Sequence, residues 1–452
     1  MLYRKIGGYI DEHLRSNSDK ILLIEGARQV GKSFIIREMG KRIYKNFVEI
    51  NFAEDKEGSK IFENIHKVED FYLALGMVAG QSLNTYEDTL VFIDEIQEYP
   101  QFLTMLKFLR QERKYRFIAS GSLLGITLKF TTSIPVGSVI FRSMYQLDFE
   151  EFLIANGFSL DVIGALKNKY ERKESLLQEQ HNHLIDLFRK YLLVGGMPDA
   201  VKTYISTRNI AKVREIQNSI RRLYVADATR YETNSQKKLH IGRIYEMIPS
   251  QMENKKKRIV AKEIRGKEGD RFSYYTEEFE YLISSGITHA ARAVSNPKYP
   301  LAESQSKNLI KLYFNDVGLL TAALYQNNIH PVFNNEKSIN LGSVYENVVA
   351  QELSAHDHKL FYYDNRAKGE VDFLINDQAT ASILPIEVKS GKDYTRHSAL
   401  NNLLNVPDYH IKSGIVLSNK REVKTLNSIT YMPVYYAMFL GSMPVKEDDL
   451  IF

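Results

Sequence analysis

The 452-residue sequence contains no cysteine. That absence excludes disulfides, cysteine-ligated zinc, iron–sulfur clusters and thiol catalysis by inventory alone, and it fits a reducing cytoplasm. Long apolar runs are missing too. No stretch approaches the roughly 20 residues needed to cross a bilayer, and the opening MLYRKIGGYIDEHLRS lacks the apolar core and small residues of a leader peptide. A soluble, unprocessed cytoplasmic chain without membrane contact is expected. Charge of one sign is also scarce: 60 Lys and Arg against 55 Asp and Glu leave only +5, so bulk charge announces no nucleic-acid partner. Neither repeats nor low-complexity tracts occur.

What is present is globular in kind. Hydrophobic residues make up 44% and charged residues 25% of a chain too long for one ordinary core, so two or three domains are expected. Apolar strands ILLIEG (21–26), FVEINF (47–52), TLVFIDE (89–95) and RFIASGS (116–122) alternate with helical segments SFIIREMGKRI and FLTMLKFLRQE. That alternation predicts a parallel sheet covered on both faces. Residues 142–230 read as helical, from RSMYQLDFEEFLIAN to VREIQNSIRRLYVADATRY, with a break at Gly195, Gly196 and Pro198. Between Lys238 and Leu324, short helices precede the strand-like ITHAARAVS, an order that suggests a winged helix, and beyond Asn340 the chain returns to α/β character.

GARQVGKS has the spacing G-x-x-x-x-G-K-S directly after an apolar strand and directly before a helix, the context a phosphate-binding loop requires. Gly26 and Gly31 let the loop curl so that the backbone N–H groups of Ala27, Arg28, Gln29, Val30 and the helix start through Phe34 face phosphates. Lys32 is then expected to reach the β- and γ-phosphates, and Ser33 to hold Mg²⁺. The strand LVFI delivers Asp94 and Glu95 at its end: Asp94 to bind Mg²⁺ and Glu95 to activate the attacking water. Lys32, Asp94 and Glu95 are thus the expected catalytic residues of a nucleoside triphosphatase. Ser120, with Ser122, is either a sensor of the γ-phosphate or a Ser/Gly turn. Arg142, Arg110 and Arg113 are candidates for an arginine finger, Arg142 first.

In order, GARQVGKS, LVFIDEIQ, ASGS, DFEEFL, YLLVGGMPDAV, KLYFNDVGLL, GSVYENVVAQEL, EVDFLI and IEVKSG resemble the prokaryotic AAA-type P-loop ATPases that carry an uncharacterised C-terminal domain. The resemblance implies ATP rather than GTP, and a chain of four parts: an AAA-type ATPase domain at 1–150, a helical connector at 151–237, a winged-helix-like domain at 238–330 and a PD-(D/E)xK nuclease-like domain at 331–452. The sequence departs from such proteins at one place: where they commonly have Gly-Arg after the sensor strand, it has Gly137-Ser138.

Alternation in EVDFLI puts Val371, Phe373 and Ile375 on one face and Glu370 and Asp372 on the other. Likewise Leu384, Ile386 and Val388 share a face, so Glu387 and Lys389 project together. Against the nuclease-like resemblance, Asp372 and Glu387 would hold a second metal, Lys389 would orient water or stabilise a charged transition state, and Glu346, on the helix with Val344, Val348 and Val349, would complete the cluster. Whether that chemistry is retained or only the scaffold is left open by the residues.

Lys255, Lys256, Lys257 and Arg258 form a basic run, and Arg221, Arg222, Lys237 and Lys238 lie upstream with Tyr224 and Tyr231 interleaved, groups suited to phosphate contacts. Glu277, Glu278 and Glu280 in the would-be reading helix oppose base recognition. DNA contact of low sequence specificity, a protein partner at the winged-helix region and homo-oligomeric assembly are the expected partnerships. His181, His183, His240, His356 and His358 show no partner acid, and the 28 tyrosines are expected in cores and interfaces rather than in a base-stacking platform.

Overall fold

Strand β1 (Ile21–Glu25) is apolar over nearly its whole length, as is β3 (Thr89–Asp94), where all six residues are buried. Strands without alternation are buried on both faces, which is the condition of a covered parallel sheet. With β2 (Asn46–Asn51), β4 (Arg116–Gly121) and β5 (Val139–Ser143) they form a five-stranded sheet in the order β2-β3-β4-β1-β5. Every pairing in it is parallel. Helices α1 (Lys5–Arg15), α2 (Lys32–Ile43), α3 (Phe52–Glu57), α4 (Val68–Ala79) and α5 (Gln101–Glu112) accompany it. An aromatic cluster of Phe52, Phe62, Phe71, Phe102 and Tyr99 fills one layer of the core.

This computed structural model describes residues 2–441 apart from 81, 82, 84, 123–136, 233, 255–256, 327, 335–340, 379 and 392. The chain divides into two compact units, Met1–Tyr145 with Ser284–Gly286, and Gln146–Ile283 with Ile287–Phe452. The helical reading of RSMYQLDFEEFLIAN needs correction at its start. Arg142 and Ser143 end strand β5, and the helix α6 (Phe149–Ala155) begins only after Asp148, whose side chain accepts from the Glu151 N–H. The N-cap overrides the periodicity upstream of it.

The second unit continues with α7 (Leu160–Glu171), α8 (Gln178–Val194), α9 (Pro198–Thr207), α10 (Ile210–Tyr231) and α11 (Ser235–Glu253). Helices α12 (Ala261–Arg265) and α13 (Thr276–Ser284) then lead into the antiparallel pair β6 (Thr288–Val294) and β7 (Gln305–Phe314). After α14 (Val317–Tyr325) and α15 (His330–Phe333) come α16 (Gly342–Ala355), β8 (Leu360–Asn365), β9 (Gly369–Asp377), β10 (Ser382–Lys389), α17 (Ser398–Leu404), β11 (Gly414–Ser418), β12 (Lys424–Leu426) and β13 (Ile429–Pro433). The strands build one mixed sheet, β12-β13-β11-β10-β9-β8-β6-β7. Helix α16 packs against β6, β7, β8 and β10, and Ser343 through Ser354 are all buried.

Candidate nucleotide site and C-terminal carboxylate cluster

The loop between β1 and α2 holds three residues at positive φ, Gly26 (150°), Gln29 (67°) and Gly31 (96°). A Cβ on Gly26 would stand 2.2 Å from the Met144 carbonyl oxygen, so only glycine lets the loop leave β1 beside the end of β5. Gly31 caps α2, whose first residues are Lys32 and Ser33. The Lys32 ammonium donates to the Gly26 and Ala27 carbonyls, each at 2.9 Å. Burial lowers its pKa to about 8 against the opposing pull of Glu95 and Asp94, so a phosphate would meet a desolvated cation already seated in the loop. Val30 is buried and its carbonyl accepts from Arg4 at 2.8 Å, which ties the loop to the N-terminal segment, while Phe34 is exposed on α2.

Because β4 lies between β1 and β3, the end of β4 brings Ser120 against Asp94. Ser120 donates to Asp94 Oδ1, the Glu95 N–H donates to the same oxygen at 3.0 Å, and Ser33 also hydrogen-bonds this carboxylate. Burial raises the Asp94 pKa, partly offset by the two serines. Glu95 sits at φ 51°, a left-handed conformation unusual for a side-chain-bearing residue. Its Oε2 accepts from Ser122 at 2.9 Å and from Gln97 Nε2. Gln97, unremarked in the sequence reading, thus shares the fixing of the candidate base; the signal was the IQ that follows FIDE. The structure brings Lys32, Ser33, Asp94, Glu95, Ser120 and Ser122 to one edge of the sheet.

The arginine candidates are less convergent. Arg142, on the edge strand β5, lies over the Tyr9 ring at 4.4 Å. Arg110 pairs with Asp19 and donates to Ser138 at 3.3 Å, and Arg113 lies over Tyr86 at 5.1 Å.

In the second unit, Glu346 on α16, Asp372 on β9, and Glu387 and Lys389 on β10 do converge. Lys389 pairs with Glu387 Oε1 at 2.6 Å, and Asp372 Oδ2 accepts from the Val388 N–H at 2.8 Å, across the β9/β10 pair. Burial, reinforced by Asp372, raises the Glu387 pKa to about 8, with Lys389 opposing. Two cations unforeseen in the sequence reading join them. Lys257 pairs with Glu346 Oε1, and Lys311 on β7, 1% exposed, lies 2.6 Å from Glu370 and 4.0 Å from Glu346 Oε2. Burial opposes both ammoniums, but Glu346 with Asp372 (and Glu370 for Lys311) lifts each above the ordinary lysine value. Glu346 Oε2 and Glu387 Oε2 are buried without a hydrogen-bond partner.

Of the basic run, the two described residues meet the chain's own carboxylates. Lys255 and Lys256 lie outside the described residues; Lys257 turns to Glu346, and Arg258 pairs with Asp364 at 3.0 Å and Glu370 at 4.0 Å. Arg221 and Arg222 line a cavity of about 700 Å³ with Tyr245 and Glu246, and Lys237 pairs with Glu277. Contrary to the reading of isolated histidines, His240 lies 3.2 Å from Glu278, and His356 stands with Asp148 and Glu352. Asp148 there caps α6, and Glu352 accepts from the Phe149 N–H and from Tyr191, so structural bonds engage both acids. Tyr191, Tyr224, Tyr245, Tyr313, Tyr345 and Tyr362 are fully buried, as core tyrosines should be.

A five-stranded parallel sheet with a Gly-Lys-Ser loop after one strand, an acidic pair after another and a strand between them defines an AAA-type P-loop ATPase domain in the first unit. In agreement, residues 18–153 match a family described as an AAA domain. Residues 185–329 and 341–437 match two families each described only as a domain of unknown function, DUF8612 and DUF4143. No curated protein matches the chain. Among solved structures, a Walker-type ATPase of Pyrococcus abyssi is similar at 13% identity and TM-score 0.43, over 72% of this chain and 96% of that one. The ORC2 protein of Aeropyrum pernix in ADPNP and ADP complexes is similar at 11% identity and TM-score 0.38, over 74% and 94%. The ORC1 protein of the same organism, in complex with DNA, is similar at 13% and 0.30, over 72% and 91%. Likeness at that level speaks to neither substrate nor partner. Among the described residues, no helix is long and apolar enough to cross a membrane.

Proposed function

We propose that the chain is an Mg²⁺-dependent ATP hydrolase whose nucleotide cycle acts, through a nuclease-like C-terminal part, on DNA. The observation that carries the hydrolase reading is Glu95, held at the sheet edge by Ser122 and Gln97 beside the Asp94 and Lys32 pair. In this reading the loop from Gly26 to Phe34 cradles the phosphates, and Lys32 exchanges its bonds to the Gly26 and Ala27 carbonyls for phosphate oxygens. Ser33 and Asp94 supply oxygens suited to Mg²⁺, which neutralises phosphate charge when bound. Glu95 takes the proton of the attacking water, and Ser120, bonded to Asp94, reports the γ-phosphate. Arg142 is the candidate finger for a neighbouring subunit of a homo-oligomer.

The division of the second unit into a connector at 151–237, a winged-helix-like part at 238–330 and a nuclease-like part at 331–452 belongs to the same proposal. Its support is the order α11, α12, α13, β6, β7, followed by α16, β8, β9, β10, α17, β11. The donor set Glu346, Asp372 and Glu387 suits a divalent cation chemically. A second reading, a nucleotide-dependent switch for a protein partner with an inactive scaffold, is favoured by one observation: Lys257 and Lys311 already balance Glu346.

The test is phosphate release by wild type and Lys32→Ala with Mg²⁺, with and without DNA. Hydrolysis by wild type alone, stimulated by DNA, supports the first reading. Hydrolysis indifferent to DNA moves the switch ahead, and equal rates in the two proteins reject the proposed site.

A further inference from the structure

Two arginines on one face of α10, two turns apart, are held very differently. Arg214 donates to the Leu193, Gly318 and Gln326 carbonyls and to Gln217 and Thr321, so the protein itself supplies its acceptors. Arg221 donates to Asn218 at 3.4 Å, and its guanidinium carbon lies 6.0 Å from the centre of the Phe314 ring. Its Nε is buried without a hydrogen-bond partner. Among the described residues, neither Arg221 nor its neighbour Arg222 pairs with a carboxylate. Two adjacent unneutralised guanidinium groups repel each other, and a partly buried one has lost water without gaining an anion.

Both arginines line one cavity. With Asn218, Glu246 of α11 and the small Ala322 and Ala323 of α14, they enclose about 700 Å³, a volume within the range of sites for small organic molecules. Two guanidinium groups against the one Glu246 carboxylate leave this wall positive. One guanidinium fork satisfies a carboxylate, whereas the terminal oxygens of a phosphate ester engage two forks at once. Phosphate alone would leave most of the volume empty, and Tyr245, stacked on Phe314 at 4.6 Å and 19°, gives the cavity an aromatic wall. A nucleic-acid backbone calls for a track of cations, yet Lys237 on the adjoining α11 is already paired with Glu277.

We propose that the cavity between α10, α11 and α14 binds a small organic phosphate, its phosphate held by Arg221 and Arg222 and its body lying along Ala323 and the Tyr245 ring. The site depends on neither the P-loop nor the C-terminal carboxylate cluster.

The experiment is calorimetric titration of AMP into the full-length chain carrying Lys32→Ala, which removes the P-loop cation. This parent is expected to bind AMP, and Arg221→Gln and Arg222→Gln should each weaken binding at least about tenfold, the share of a charge-assisted contact. Ala323→Leu, which takes up volume and removes no charge, should weaken AMP binding and leave inorganic phosphate binding unchanged. Thermal melting checks the folding of each variant. No AMP binding by the parent, or AMP binding that both arginine variants keep in full, overturns the site. Inorganic phosphate bound as tightly as AMP overturns the organic ligand and leaves a bare anion site. A DNA duplex bound through the same two arginines, without AMP binding, overturns the small-ligand reading in favour of nucleic acid.

Discussion

Glu95 and Asp94 are neighbours in sequence with different surroundings. Asp94, 3% exposed, is bonded to Ser120 and Ser33, whereas Glu95 turns through a left-handed residue to meet Gln97 and Ser122. Because the second carboxylate is oriented by Gln97 and Ser122, Glu95→Gln should retain ATP binding and lose at least about a hundredfold in kcat, the usual share of a general base. Nucleotide binding by fluorescence and turnover by phosphate release separate the two effects; weakened binding with an unchanged kcat would assign Glu95 to nucleotide affinity instead. Asp316 shows what burial does to a carboxyl with no catalytic part in the proposed reaction. It caps α14 and accepts from the Gly196 N–H, and burial raises its pKa to about 6 against those N–H donors. The folded chain therefore keeps this proton over a range where the unfolded chain, near the ordinary 3.8, has lost it. Stability from this group is full below about pH 4 and is lost as pH rises to about 6, by up to about 3 kcal/mol. Urea melts at pH 4 and pH 7 should show the wild-type advantage over Asp316→Asn shrinking with rising pH; a constant or growing gap contradicts the assignment.

At the scale of elements, the segments YLLVGGMPDAV and KLYFNDVGLL turn out to be two halves of one lock. Asp316 reaches Gly196 from the start of α14, and Gln217 on α10 donates to the Leu193 and Val194 carbonyls at 2.9 Å each. A Cβ on Gly196 would stand 1.9 Å from the Leu147 carbonyl oxygen, and one on Gly318 would stand 2.6 Å from that of Val194. These glycines mark close backbone approach rather than a hinge. Strand β7 carries the other element-level dependence, because Lys311 is the fixed cation between Glu370 and Glu346. Lys311→Met removes that charge and leaves buried carboxylate behind, so it should cost roughly 3–5 kcal/mol in urea unfolding, as breaking a buried pair does. A loss below about 1 kcal/mol would mean that water reaches Glu346 readily.

At the scale of the whole molecule, each of the two units has a sheet and a core of its own. The candidate nucleotide residues all lie in the first unit and the carboxylate cluster in the second. A ligand that binds only the native form stabilises what it binds, by about 2.7 kcal/mol at a concentration of 100 Kd. Scanning calorimetry with Mg²⁺ and ADP is therefore expected to raise one unfolding transition and leave another where it was. One transition that moves as a whole would show the units unfolding as a single cooperative body.

Local chemistry was readable from the sequence by itself. The G-x-x-x-x-G-K-S spacing, the uninterrupted apolar strands and the alternation of EVDFLI and LPIEVKS depend on neighbours a few residues apart, and β1, β3, β9 and β10 formed where those patterns put them. Helix α16 was legible as a helix, but its burial on nearly every side was not. What only the tertiary structure decided were the partners brought together across long separations: Gln97 and Ser122 on Glu95, Asp316 on Gly196, Lys257 and Lys311 on Glu346. A charged residue in a sequence carries no sign of whether it will meet water or a buried counter-charge. Strand order and helix packing make that choice, which is why Lys257 and Arg258, which read as phosphate contacts, meet the chain's own carboxylates instead.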